Sequence, residues 1–120
     1  MWSIDFANYR RRYPHLDGAY DALQSFLTSH PLLEHIDPLR VLYNFPQLST
    51  WELGIALSIL TEEGQLQPKY AVRAPDRSFA RGGYYKSPKD VPETLYSLSD
   101  DRFDRSEGEL VPIFTGGTGR

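Results

Sequence analysis

The spacing of apolar residues predicts a helix in the first quarter of the chain. Between residues 16 and 27, apolar side chains recur every three or four positions, which places them on one helix face. They are Leu16, Ala19, Tyr20, Leu23, Phe26 and Leu27. Asp17 is the expected N-cap. We expect the helix to end near His30-Pro31, because a residue before proline is disfavoured in the α conformation.

A second, short helix is predicted from Asp37-Pro38. Aspartate can cap the helix, and proline at the first helical position loses no N–H that the helix needs. Phe45-Pro46 ends it. Its buried side is expected to consist of Leu39, Val41, Leu42 and Phe45.

The third predicted helix has the clearest boundaries. Ser49 and Glu52 form a capping box at its start, and Gly64 is suited to the left-handed position that follows a helix. The inward stripe consists of Leu53, Ala56, Leu57 and Leu60. Only residues 46–49 separate this helix from the second one, which is the spacing of a helix-turn-helix.

Strand patterns begin after Gly64. Residues 67–74 alternate in the manner of a strand, and Gly82-Gly83 predicts a turn before a second strand over 84–86. Residues 87–92 indicate an ordered loop or a single turn, and the polar residues 99–109 indicate another loop. Residues 109–114 predict a last strand, which we expect at a sheet edge because Pro112 cannot donate to a ladder.

This order of elements resembles the winged-helix family. The resemblance runs from Leu16 to Lys86 and rests on Asp37-Pro38, the segment Pro46–Glu52, Gly64 and Gly82-Gly83. It implies an α+β fold, namely a three-helix winged-helix-like domain with a small antiparallel sheet and an added C-terminal edge strand. Winged helices share little sequence, so the resemblance is one of fold and leaves the function open.

Three segments follow from this interpretation. Residues 1–15 form an N-terminal arm, residues 16–114 a single winged-helix-like domain, and residues 115–120 a flexible glycine-rich tail. The arm combines aromatic residues with the run Arg10-Arg11-Arg12 and is suited to docking on a partner or on phosphates. The alternative is a helix or strand packed on its own domain, with the arginines in solvent.

The composition excludes several classes of function. The chain has no cysteine, so thiolate metal sites and cysteine nucleophiles are absent. No apolar run approaches the length of a membrane span, and residues 1–5 lack the features of a signal peptide. The histidines lack zinc-site spacing, and no glycine-rich phosphate loop precedes a helix. We therefore expect a cytoplasmic protein with no cofactor, metal, membrane contact or catalytic residue.

The outer face of the third helix is the first candidate site. The face opposite the inward stripe contains Gly54 and the four candidate partner-binding residues Trp51, Ile55, Ser58 and Glu62. No lysine or arginine occurs from Pro46 to Gly64, so the helix is poorly suited to reading bases in a DNA groove. An exposed aromatic residue beside an aliphatic one is typical of a protein-interface hot spot. The alternative is that Trp51 covers the core and is buried.

The charge distribution provides the second candidate site. The chain carries a net charge of -3, yet residues 69–89 are net +5 and residues 90–109 net -5. A basic hairpin with aromatic residues is suited to phosphate contact and base stacking. The candidate nucleic-acid contacts are Arg10, Arg11, Arg12, Lys69, Arg73, Arg77, Arg81, Tyr84 and Lys86. The alternative is that the acidic segment neutralises the basic one, within one chain or between two copies.

Two hypotheses of function remain. The first is a small protein-binding adaptor or accessory subunit, of a bacterial type, whose partner is another protein or a copy of itself. The second is a nucleic-acid-binding transcriptional regulator that uses the basic hairpin of residues 69–89, which we call the basic wing. The absence of basic residues in the third helix favours the adaptor.

The third-helix boundary generates a prediction. We expect Ser49→Ala to lower the free energy of unfolding by about 1 kcal/mol, because the N-cap hydrogen bond is lost. Thermal or urea unfolding of the variant against the native chain measures this difference. An unchanged unfolding curve would show that the helix does not depend on Ser49.

Overall fold

The computed structural model describes residues 2–117 and divides the chain into two compact units. The first unit comprises Met1–Gln67 together with Phe114–Arg120, and the second comprises Pro68–Ile113. The predicted α+β class is confirmed, with four α-helices among the described residues where the sequence predicted three. The predicted domain over residues 16–114 thus spans parts of both units.

The helices belong to the first unit. They are α1 (Phe6–Arg12), α2 (Asp17–Ser29), α3 (Pro38–Asn44) and α4 (Thr50–Glu62), with a 3-10 turn over Pro14–Leu16. The segment predicted as an arm contains α1, whose Phe6 and Tyr9 side chains are buried in the core. This matches the alternative that the sequence left open, because a short helix with aromatic residues three apart can bury one face.

The N-caps predicted for α3 and α4 are confirmed, with the Ser49 half of the predicted capping box seen at α4, but the cap predicted for α2 is not. The Asp37 carboxylate accepts the Leu39 N–H at 3.0 Å, and the Ser49 hydroxyl accepts the Glu52 N–H at 3.4 Å. Gly64 has φ 76°, as predicted for the residue that follows the helix. The prediction for Asp17 is wrong: the 3-10 turn leads directly into α2, so Leu16 occupies the cap and Asp17 is the first helical residue.

The core of the first unit is aromatic and aliphatic. The rings of Tyr9 and Tyr20 lie 5.5 Å apart between centroids. Tyr20 is fully buried and its hydroxyl donates to the Ala56 carbonyl at 3.3 Å, so the phenol has a partner inside the core. The inward stripe of α4 is confirmed, and Leu42 packs against the core in a half-buried position.

Leu39 does not lie on the buried side of α3 as predicted. Its side chain is 62 % exposed, whereas Val41 is fully buried. At 100° per residue, Leu39 points about 200° away from Val41, and Phe45 only about 40° away. A helix of seven residues buries one narrow face, and Val41 determines which face that is.

The C-terminal strand continues into the segment predicted as a flexible tail. Strand β1 (His35–Ile36) pairs antiparallel with β5 (Glu109–Gly116), with His35 opposite Thr115. The Gly117 N–H donates to the Gln65 carbonyl at 2.9 Å. A Cβ at Gly117 would overlap the Gly64 backbone, so this close approach requires glycine. The tail prediction is wrong for residues 115–117, and residues 118–120 lie outside the described residues.

Strand β2 (Leu66–Arg73) confirms the strand predicted after Gly64, and the three-stranded sheet has the order β1-β5-β2. The edge prediction for β5 is wrong at Phe114 and Thr115, where β1 pairs with it. Strand β1 has only two residues, too few for an alternating pattern to reveal it. Pro112 lies outside that two-residue ladder, as a residue without an N–H requires.

The rest of the second unit departs from the predicted hairpin. The second strand of the predicted hairpin, over residues 84–86, does not form. Isolated bridges join Tyr70 to Tyr85 and Arg73 to Phe79 instead. Residues 99–109, predicted as a loop, contain β4 (Arg102–Asp104) and a 3-10 turn over Arg105–Glu107. Strand β4 pairs with β3 (Thr94–Tyr96). Strand β4 is otherwise polar, but its central residue, Phe103, is buried and only 4 % exposed.

The packing of α4 generates a prediction. Leu57 is 2 % exposed, and we expect Leu57→Ala to lower the free energy of unfolding by about 2–5 kcal/mol because a cavity remains. Ser58→Ala is the matched control, because the Ser58 side chain, next to Leu57 in the sequence, is exposed. We expect it to change the free energy of unfolding by no more than about 0.5 kcal/mol. Chemical unfolding measures both. Equal effects of the two substitutions would contradict the assigned orientation of α4.

Candidate functional site

The two ends of α4 and its inward stripe determine which residues face solvent. Ser49 caps the first turn, and Leu53, Ala56, Leu57 and Leu60 are buried in the core of the first unit. Rotating the helix about its axis would expose this stripe, which costs about 1.5–3 kcal/mol for each leucine. The opposite face is therefore held outward.

The outer face of α4 consists of Trp51, Ile55, Ser58 and Glu62, and all four are exposed. Their spacing of four, three and four residues keeps them within about 60° around the helix axis. The side chain of Trp51 is 64 % exposed and that of Ile55 is 38 % exposed. The indole of Trp51 thus does not cover the core, which was the alternative reading of this residue.

The outer face of α4 differs from the exposed face of α2 in having large apolar side chains. Both helices have 13 residues, and both bury one side in the same core. The exposed positions of α2 are polar or glycine; they are Asp17, Gly18, Asp21, Gln24, Ser25, Thr28 and Ser29. Helix α4 instead has apolar residues on its outer face, Trp51 and Ile55, as well as on its inward stripe. A solvent-facing helix ordinarily has polar residues opposite its buried stripe.

Helix α3 adds exposed apolar residues that the sequence did not indicate. Leu39 and Tyr43 are 62 % and 87 % exposed and lie four residues apart, so they share a helix face. Leu32, in the segment between α2 and β1, is 93 % exposed. The available signal was the position of Leu39 relative to Val41, which places the two on opposite sides of α3.

Polar contacts tie α1 to the end of α4. The Arg12 guanidinium donates to both carboxylate oxygens of Glu63 at 2.8 Å, and the Tyr9 hydroxyl donates to Glu63 at 3.1 Å. The bond from Arg12 lowers the pKa of Glu63. Burial raises the pKa of Tyr9, and its bond to Glu63 adds to this. Arg12 thus forms an ion pair with Glu63 within the same unit.

Arg10, the other paired arginine of α1, contacts α2. Its Nε donates to the Asp17 carboxylate at 2.6 Å, and an Nη lies 3.4 Å from Asp21. Arg11, between Arg10 and Arg12, is exposed. The arginine run predicted to contact phosphates thus has two members engaged with carboxylates of their own unit.

The basic residues of the second unit are also partly engaged. Arg73 lies 4.8 Å from the Phe79 ring and donates to the Arg77 carbonyl at 3.0 Å. Arg77 is exposed and has φ 77°, a left-handed conformation. Lys69 is half-buried, whereas Lys86 and Tyr84 are exposed.

Arg81 organises the turn between β3 and β4. Its N–H donates to the Tyr96 carbonyl at 2.9 Å, and its guanidinium lies 2.8 Å from the Asp100 carboxylate. Ser97 is 2 % exposed and its hydroxyl accepts two backbone N–H groups of the turn. Asp100 of the acidic segment 90–109 therefore neutralises Arg81 of the basic segment 69–89. This is the alternative that the sequence left open for the two segments.

The first unit contains a cleft beside the residues that precede α1. A cleft of about 370 Å³ in the first unit is lined by Trp2, Ile4, Phe6, Gln24, Leu27, Thr28 and Pro31, none of them titratable. The Trp2 indole donates to the Leu33 carbonyl at 3.0 Å beside it. Within residues 2–117, no three His, Cys, Asp or Glu side chains are grouped to hold a metal ion. In the same range no helix has the length and apolar character to cross a bilayer.

Comparisons with known proteins were made at the level of sequence families, curated proteins and solved structures. No family model, no curated protein and no solved structure matches this chain.

The pairing of the arginines generates a prediction about nucleic acid. We expect no steep salt dependence of binding to random duplex DNA, whereas a binder loses about 0.9 log units of affinity per decade of salt for each phosphate contacted. Fluorescence anisotropy at two salt concentrations measures this. Sub-micromolar, salt-sensitive binding that disappears in the double variant Arg77→Glu, Arg81→Glu would instead identify the second unit as a phosphate-contacting surface.

Proposed function

We propose that this protein is a non-catalytic protein-binding adaptor or accessory subunit that contacts its partner through the outer face of α4. The single observation that carries the proposal is the distribution of apolar residues around α4, which buries one side and leaves Trp51 and Ile55 in solvent on the other. Covering these side chains removes apolar surface from water, which favours a complex.

The composition of the outer face fits a protein partner better than a nucleic acid. Tryptophan is among the residues most enriched at the energetic centres of protein interfaces. Bidentate base contacts need Arg, Lys, Asn or Gln, and the outer face contains none of them. Glu62, at its C-terminal end, is a carboxylate and offers no donor to a phosphate.

The fold supports this use of α4 by analogy. We propose that the chain follows the order of elements of a winged helix, with helices α2 to α4 followed by β2 and the bridges of residues 70–85, and that the short α3–α4 connection presents α4 outward from the first unit. The same analogy applies to many functions, so it supports the geometry and not the partner. A cysteine-free chain suits a reducing cytoplasm, which is the compartment that we propose.

The nucleic-acid alternative has weaker support. Three of its arginines, Arg10, Arg12 and Arg81, contact carboxylates of their own unit. Releasing them to a phosphate would exchange one ion pair for another, and the net gain would be small. The exposed residues Arg11, Arg77 and Lys86 remain, and the DNA measurement described above tests them.

Quantitative co-purification from the native host tests the proposal. We expect a partner recovered with the native chain to be lost with Trp51→Ala and with Ile55→Glu, by about tenfold or more, because hot-spot residues dominate binding. Light scattering after size exclusion determines whether that partner is a second copy of the chain. Circular dichroism melting shows whether each variant retains its fold.

A matched variant provides the control. Ser25→Glu introduces the same charge as Ile55→Glu at an exposed position of α2. We expect Ser25→Glu to leave the recovered partner unchanged. The proposal would be overturned if folded Ile55→Glu protein retained every partner of the native chain, or if Ser25→Glu lost the partner equally.

A further inference from the structure

The cleft between α2 and the residues that precede α1 has the size and composition of a small-molecule site. Its volume is about 370 Å³. Pockets that hold small molecules range over about 300–1,000 Å³ and are lined mainly by apolar side chains with a few polar groups. The lining of this cleft is mostly apolar, and its polar side chains come from α2 alone.

The apolar part of the lining is held in place by the core. Phe6 and Leu27 are each 6 % exposed and belong to the core of the first unit. Trp2 and Ile4 are half-buried and alternate with exposed polar residues, so one side of this extended segment is apolar. The Trp2 indole N–H donates to the Leu33 carbonyl at 3.0 Å, which orients the ring. The cleft is therefore formed before a ligand binds.

Two neutral side chains provide the hydrogen-bonding groups of the cleft. Gln24 and Thr28 are exposed residues of α2, and they are neighbours on one helix face because they lie four positions apart. The Gln24 amide has donors and an acceptor, and the Thr28 hydroxyl can act as either. A ligand in the cleft therefore has partners for one polar group on its α2 side.

The lining also determines the charge of the ligand. None of the described residues that line the cleft is titratable. A charged group that moved into the cleft from water would lose hydration without gaining a counter-ion, which is unfavourable. A neutral ligand avoids this cost.

A neighbouring cleft of about 470 Å³ is less suited to a ligand. It shares Trp2 and Pro31 with the first cleft and includes the Glu34 carboxylate in its lining. None of the described residues that line it is buried, so the core does not hold its lining in place.

We infer that the first cleft binds an uncharged small molecule with a ring-containing apolar body and one hydrogen-bonding group. The body contacts Trp2, Phe6 and Leu27, and the polar group bonds to Gln24 or Thr28. Aromatic side chains favour ring systems because rings pair in stacked or edge-to-face geometry. The cleft shares no residue with the outer face of α4, so the inference does not depend on the proposed function.

Two fluorescent compounds of the same skeleton test the inference on the intact chain. N-phenylnaphthylamine is uncharged and has one N–H, and anilinonaphthalene sulfonate adds a negative charge to it. The chain has two tryptophans, so Trp51→Phe leaves Trp2 as the only one. We expect the uncharged compound to quench Trp2 emission. The sulfonate should bind about tenfold or more weakly, because its charge has no partner in the cleft.

Substitutions on α2 locate the bound compound. Thr28→Phe should weaken binding of the uncharged compound by about tenfold or more, because the added ring occupies the cleft. Gln24→Lys should strengthen binding of the sulfonate by about two- to fivefold at low salt and less at high salt. Ser25→Phe and Ser25→Lys make the same changes at an exposed position outside the lining and should leave both affinities unchanged. Circular dichroism melting shows whether each variant is folded.

The opposite results overturn the inference. They are no binding of the uncharged compound at micromolar concentration, equal binding of the two compounds, or binding that persists in folded Thr28→Phe protein. We expect Ile55→Glu to leave binding unchanged, and a loss of binding in this variant would place the compound on the outer face of α4 instead. Failure of the ligand test at the cleft leaves the proposed function intact, since that function is tested by different residues.

Discussion

The burial of one stripe of α4 against α2 and the 3-10 turn that precedes α2 is the constraint on which the rest of the first unit depends. Leu53, Ala56, Leu57 and Leu60 are at most 2 % exposed, and the Tyr20 hydroxyl donates to the Ala56 carbonyl within the same contact. Because this stripe determines the rotation of the helix, it also determines which residues stand opposite it. The exposure of Trp51 and Ile55 is thus a consequence of core packing and does not depend on any contact of their own.

Ion pairs reinforce this arrangement at the edges of the core. Arg12 holds Glu63 immediately after α4, and Arg10 holds Asp17 at the start of α2, so α1 is connected to both helices. Such exposed pairs contribute little energy each, since solvent screens them and the side chains lose entropy. Their larger consequence is electrostatic: the arginine run that the sequence presents as a free basic cluster is mostly compensated by carboxylates of the same unit.

The outer face of α4 exposes apolar side chains to water when no partner is bound, which is unfavourable. Exposed tryptophan and isoleucine side chains on one helix face favour association, and solvent-facing helices ordinarily place polar residues there, as α2 does. Gly54 adds to this cost, because glycine in a helix interior is less favourable than alanine by about 0.5–1 kcal/mol.

The sequence alone determined the elements whose signals are local. The caps at Asp37 and Ser49, the glycine after α4 and the buried stripes of α2 and α4 depend on residues a few positions apart, and the structure confirms them. The elements it missed include the strands β1, β3 and β4, which have two or three residues each and exist only through pairing. The tertiary structure also decided the exposure of Trp51 and Leu39 and the pairing of Arg12 and Arg81 with Glu63 and Asp100. Those outcomes depend on which surfaces meet across long stretches of chain, and a local pattern of apolar and polar residues does not contain that information.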